Sequence, residues 1–356
     1  MKTEPLRIMV AEDSPTARRL LVEILRTDPA LTVVGEARDG LEAVELCQRL
    51  QPNLVTMDIQ MPRMDGLDAT RRIMTEVPTP VVVVSTLVER DIQTSMAALR
   101  AGALAVLQKP VGPESPDFEA DSRRLRDTLK AMAQVKVVRR WPDRAAVPLP
   151  LHETTPIPST RAPAVLAMAA STGGPAALYR ILSDLGGQAL TPPPPILLVQ
   201  HIALGFGNGL ATWLGTATKL RVKVAEDGEP LSPGTVYLAP DDKHLGVTQD
   251  HRAQVSGAAP IQGFRPSANW LFRSVARAYG QTSLAVVLTG MGQDGLDGIR
   301  DLHQAGGRVI AQDEATSVVY GMPAVVVGAN LAHEVLPLPQ IARRLLALLQ
   351  PGVRLP

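Results

Sequence analysis

The chain has 356 residues, long enough for two domains that each bury a core. A formal net charge of +1 gives no electrostatic case for nucleic acid or an anionic membrane, and 3% aromatic content argues against stacking platforms for single strands. Cys47 is the sole cysteine, so no internal disulfide can form and a cytoplasmic location is expected. No apolar run approaches the roughly 20 residues of a membrane span, and the opening Met1-Lys2-Thr3-Glu4-Pro5 lacks a signal-peptide core, so no membrane insertion is expected.

Apolar strand-like runs at Ile8–Ala11, Leu31–Gly35, Leu54–Met57, Val81–Val84 and Ala105–Leu107 alternate with segments of helical period. Five strands with intervening helices predict a doubly wound α/β sheet. Ser14-Pro15 reads as an N-cap followed by a first-turn proline, ahead of apolar Leu20, Leu21, Ile24 and Leu25. Residues 135–162 are rich in proline and small polar residues and read as a linker between a first domain at 1–134 and a second at 163–352. The second domain repeats the α/β alternation, with strands near 164–170, 196–200, 221–225, 235–239, 284–288 and 308–311. No repeat relates the two halves.

In the first domain the chemistry lies at strand ends. Glu12-Asp13 follow strand one and Asp58 ends strand three, which lets three carboxylates converge on one sheet edge. Such a cluster repels itself unless a cation sits within it, and an oxygen-only donor set suits Mg²⁺. Ser85 ends strand four and Lys109-Pro110 follows strand five; a hydroxyl and an ammonium there can hold the oxygens of a phosphoryl group on a carboxylate. For any one of these acids, helix capping is the plainer reading; for the five groups together it is a poor one.

These motifs, with Asp58-Ile59-Gln60-Met61-Pro62-Arg63-Met64-Asp65-Gly66, resemble a response-regulator receiver domain of flavodoxin-like type. The resemblance implies that Asp58 accepts phosphate from a histidine kinase, that Mg²⁺ binds Glu12, Asp13, Asp58 and the Gln60 carbonyl, that Ser85 is the switch hydroxyl, and that Lys109 pairs with the phosphoryl group. It also makes Lys109-Pro110 a candidate cis bond. Two positions depart from the pattern: Glu12 stands where aspartate is common, and Val106 where many receivers carry a switch aromatic.

In the second domain the apolar run Ala164–Ala170 ends at Ser171-Thr172-Gly173-Gly174-Pro175, a hydroxyl where a buried strand turns into a helix. Two readings compete, a nucleophilic serine or a glycine loop that cradles phosphate; neither the phosphate-loop nor the dinucleotide glycine spacing fits. A serine nucleophile needs a base, and the base an orienting acid. Of the histidines, His152 falls in the linker and His303 on a helix with polar neighbours. His201 instead ends the strand expected to lie beside that of Ser171. Asp294 follows strand 284–288 through Thr289-Gly290-Met291-Gly292-Gln293. Asp294 reads either as an N-cap or as the orienting acid.

These residues, with Gln200-His201, Tyr237-Leu238-Ala239-Pro240, Arg265-Pro266-Ser267 and Ala311-Gln312-Asp313-Glu314-Ala315-Thr316-Ser317, resemble the protein-glutamate methylesterases of bacterial chemotaxis, in which a receiver is joined by a linker to a hydrolase. The resemblance implies hydrolysis of glutamyl methyl esters on the cytoplasmic helices of chemoreceptors, release of methanol, and deamidation of receptor glutamines. Ser171 is then nucleophile, His201 base and Asp294 orienting acid, with the backbone amides of Met291 and Thr172 as oxyanion donors. The esterase step is expected to need no cofactor, and Mg²⁺ belongs to the receiver. The unphosphorylated receiver is expected to cover the Ser171 site. Rival readings are a methylesterase serving a non-flagellar array and a receiver-controlled binding regulator. The latter calls for a basic recognition helix, which the sequence lacks.

Overall fold

The computed structural model describes residues 4–85, 97–99, 101–133, 135, 162–188, 192–202 and 204–349. All but two residues of the expected linker, and His152 with it, lie outside the described residues.

The first sheet carries β1 (Leu6–Ala11), β2 (Leu31–Ala37), β3 (Leu54–Met57), β4 (Val81–Ser85) and β5 (Ala105–Gln108), in the order β2-β1-β3-β4-β5 and parallel throughout. Helices α1 (Pro15–Arg26), α2 (Gly40–Leu50), α3 (Gly66–Glu76) and α4 (Phe118–Met132) flank it. Successive strand residues face opposite sides. Met9, Val55 and Met57 therefore pack toward α2 and α3, while Ile8, Val10 and Leu54 join Leu21, Leu25, Leu125 and Leu129 from α1 and α4. Ser14 caps α1 as its composition predicts, its hydroxyl accepting from the Ala17 amide at 3.4 Å. Among the described residues the cis peptide is Arg265-Pro266; Lys109-Pro110, expected as a candidate, is trans.

The second sheet has seven strands in the order β14-β13-β12-β6-β7-β9-β8, again parallel. They are β6 (Val165–Ala170), β7 (Ile196–Gln200), β8 (Arg221–Val224), β9 (Thr235–Leu238), β12 (Ser283–Val287), β13 (Arg308–Gln312) and β14 (Glu334–Leu336). Helices α5 (Gly174–Gln188), α6 (Gly207–Thr218) and α10 (Leu338–Leu349) cover one face. The other is covered by α7 (Ala268–Tyr279), α8 (Leu296–Gln304), α9 (Met322–Gly328) and an antiparallel hairpin of β10 (His244–Val247) and β11 (Ala253–Ser256). The hairpin and β14 are absent from the strands expected from sequence.

β12, β6 and β7 are consecutive in the sheet, so their carboxyl ends share one edge. The chain runs outward from β6 through β7 to β8 and β9 and later returns to begin β12 on the other side of β6, which makes this the switch point where open α/β sheets place ligands. Ser171, His201 and the loop bearing Met291 and Asp294 extend from those three ends. No described helix is long and apolar enough to cross a membrane.

Candidate active site and acidic cluster

Glu12 and Asp58 are buried beyond the ends of β1 and β3, and Asp13 is exposed beside them. One carboxylate oxygen from each lies within 4.8 Å of the others. Lys109 Nζ approaches Glu12 Oε2 at 2.9 Å and Asp58 Oδ1 at 3.0 Å. Glu12 Oε2 is buried and has no polar partner among the described residues besides that ammonium. Burial raises the pKa of both acids, and a neighbouring carboxylate adds to it: Asp58 acting on Glu12 and Asp13 on Asp58, with Lys109 offsetting only part. Burial works against the Lys109 ammonium, but these carboxylates outweigh it and raise its pKa. Spare carboxylate lone pairs under mutual repulsion fit a hard divalent cation. Ser85 is buried at the end of β4, and its carbonyl accepts from the Lys109 amide at 2.9 Å. Gln60 sits in the loop after β3.

In the second domain the β6–β7 ladder runs up to the chemistry: Ala170 pairs with Gln200, and the His201 amide donates to the Ala170 carbonyl at 3.0 Å. The buried Gln200 side chain donates to both the Ser171 and His201 carbonyls, each at 2.8 Å, and so ties the two residues together. Sequence reasoning placed Gln200 in a motif and gave it no task. The Ser171 amide donates to the Thr289 carbonyl at 3.0 Å, which joins the β6 and β12 loops. Gly290 makes this approach possible, because a Cβ there would come within 2.7 Å of Ser171 Cβ and 2.5 Å of Met322 Sδ.

His201 Nε2 lies 2.9 Å from Asp294 Oδ2, and the Asp294 side chain is fully enclosed. Asp294 also accepts from the Ser267 hydroxyl (2.7 Å) and from the amides of Ala268 (2.6 Å) and Asn269 (3.2 Å). It therefore sits on the N-terminus of α7, where the helix dipole favours negative charge. Burial works against the carboxylate, but the His201, Ser267 and Ala268 hydrogen bonds outweigh it and lower the Asp294 pKa. The plainer expectation, a cap on the following helix, does not hold: Gly295 occupies the N-cap position of α8.

His201 Nδ1 is buried with no hydrogen-bond partner among the described residues, and Phe264 stacks on the ring with centroids 4.4 Å apart. Ser171, Thr172, His201 and Met291 line one cavity of about 400 Å³. The amides of Thr172 and Met291 have no acceptor among the described residues. The receiver lines the same cavity through Leu104–Leu107 of the β5 region and Arg124 and Thr128 of α4. Val318 and Val319, in the loop between β13 and α9, pack against the receiver core. Their loop also reaches the site, since the Gly290 amide donates to the Val319 carbonyl at 3.0 Å.

Residues 8–115 match the response regulator receiver domain and residues 166–345 the CheB methylesterase family. The chain is 77% identical over 347 residues to protein-glutamate methylesterase/protein-glutamine glutaminase 4 of Myxococcus xanthus, covering 97% of each chain. It is 53% identical over 342 residues to the correspondingly named protein 3 of Anaeromyxobacter dehalogenans, covering 96% of this chain and 98% of that one. Among solved structures, the CheB methylesterase catalytic domain of Thermotoga maritima is 38% identical with a TM-score of 0.50, and the match covers 53% of this chain and 100% of that one. The chain belongs to the CheB methylesterase family and joins that catalytic domain to a response-regulator receiver.

Proposed function

We propose that this chain hydrolyses glutamyl methyl esters on the cytoplasmic helices of chemoreceptors, deamidates receptor glutamines, and does so under control of phosphorylation at Asp58. The observation that carries the catalytic part is the shared cavity: Ser171 and His201 line it, and Asp294 holds the far nitrogen of the imidazole. Ser171 Oγ attacks the ester carbonyl as His201 Nδ1 takes its proton. The carbon–oxygen bond to the methoxy group then breaks, and His201 returns the proton so that methanol leaves. Water, deprotonated in turn by His201, attacks the acyl-serine, and His201 passes the proton to Ser171 Oγ as the bond to it breaks and a free glutamate leaves; for a glutamine substrate the first leaving group is ammonia.

Asp294 fixes the imidazole with its proton on Nε2, leaving Nδ1 as the base, and stabilises the imidazolium. The Thr172 and Met291 amides would receive the oxyanion; each such donor typically supplies about 3 kcal/mol of transition-state stabilisation.

In the receiver, Asp58 takes the phosphoryl group from a histidine kinase, and Lys109 and Ser85 receive its oxygens. Glu12, Asp13, Asp58 and the Gln60 carbonyl would hold Mg²⁺, which when bound neutralises charge on the phosphoryl oxygens. Receiver residues line the Ser171 cavity, so loosening of this packing on phosphorylation would open it to a receptor helix.

Methanol release from methylated receptor tests the chemistry. S171A is expected to reduce it to background with the fold intact, and undiminished release would refute the assignment.

A further inference from the structure

Four protons point at the Asp294 carboxylate, and only one comes from His201. Two others are the Ala268 and Asn269 amides at the start of α7, which any sequence there would supply. The fourth is a side-chain donor, the Ser267 hydroxyl, 2.7 Å from Oδ1.

Ser267 is the N-cap of α7, its oxygen accepting from the Asn269 amide at 3.2 Å. With a lone pair committed to that amide, the hydroxyl proton is directed at Asp294 rather than free to rotate. The Ser267 backbone is fixed in turn: its amide donates to His244 Nδ1 at 3.2 Å, and His244 Nε2 lies 3.1 Å from the Ala259 carbonyl. An imidazole that accepts at Nδ1 and donates at Nε2 is a single tautomer. The His244 ring stacks on Trp270 at 4.8 Å and 12°, and Ser267, Asn269 and His244 are fully enclosed.

We propose that Ser267, held by His244, is a positioning residue of the hydrolase: it pins Asp294 Oδ1 so that Oδ2 faces His201 Nε2. This rests on the triad reading.

The test uses the full-length chain and separates donation from capping. S267G removes the hydroxyl but leaves a residue tolerated at an N-cap, S267A leaves a poor cap, and S267T keeps both functions. Two quantities are read: kcat and KM for methanol release after treatment with a phosphodonor, and the NMR resonance of the His201 Nε2 proton that faces Asp294. S267G is expected to lower kcat about tenfold with KM unchanged and to shift or broaden that resonance, and S267T to restore both. Losses that track helix stability, larger in S267A than in S267G, with the His201 Nε2 proton resonance unmoved in both, would reduce Ser267 to a cap and overturn the proposal. If the wild-type chain releases no methanol, the esterase reading falls, and the NMR comparison still decides whether Ser267 acts on His201.

Discussion

Burial alone would push the Asp294 carboxyl toward its neutral form, and its hydrogen bonds to His201, Ser267 and the start of α7 reverse that. Its folded pKa lies below the ordinary value of 3.8, so its contribution to stability is complete above that value and is lost as pH falls through the folded one. Glu12 and Asp58 carry the opposite sign. Their raised pKa values favour the folded chain at low pH, and that contribution is lost as pH rises through the folded values. D294N removes the charge and, whichever way its amide is turned, sets an NH2 against one backbone N–H, of Ala268 or of Asn269, which is expected to cost about 1–3 kcal/mol at neutral pH. In urea denaturation the wild-type advantage over D294N should shrink as the solution is acidified below 3.8. An advantage that stays constant into strong acid would mean that Asp294 is not held as a carboxylate.

At the level of elements, the alternation of apolar residues with helical segments is enough to place the central strands of both sheets, because each is buried on both faces and reads as a continuous run. β14 has three residues at a sheet edge, and the β10–β11 hairpin packs on helix α7 rather than joining the main sheet. Neither carries a strong local pattern. The site divides in the same way. Ser171, His201 and Met291 stand at strand ends that can be read in order along the chain. The partner of Asp294 is the start of a helix 26 residues earlier, a contact that only tertiary packing creates.

Gln200 is a further case: its motif is visible, but its service to two carbonyls on neighbouring strands depends on sheet order. Q200L keeps the volume roughly constant and removes both hydrogen bonds. It is expected to cost about 1–3 kcal/mol in stability, and kcat should fall about tenfold from misalignment of Ser171 and His201. Wild-type kcat in a folded Q200L chain would show that the two strand ends need no tie.

Over the whole molecule, the two domains meet at the chemistry. The β5 and α4 regions of the receiver supply one wall of the cavity that holds Ser171, and Val318 and Val319 join the receiver core to the loop that positions Gly290. Val106, where an aromatic residue is common in receivers, is itself part of that wall and pairs with Val83 of β4, two residues before Ser85. A displacement at Ser85 therefore has a short path to the mouth of the site. The most direct measurement is the rate of methanol release from methylated receptor by the intact chain, with and without a small-molecule phosphodonor and Mg²⁺, in the wild type and in D58N. The wild-type rate is predicted to rise with the phosphodonor and the D58N rate to stay at its low basal level; equal wild-type rates under both conditions, or equal stimulation of D58N, would contradict control of Ser171 through Asp58.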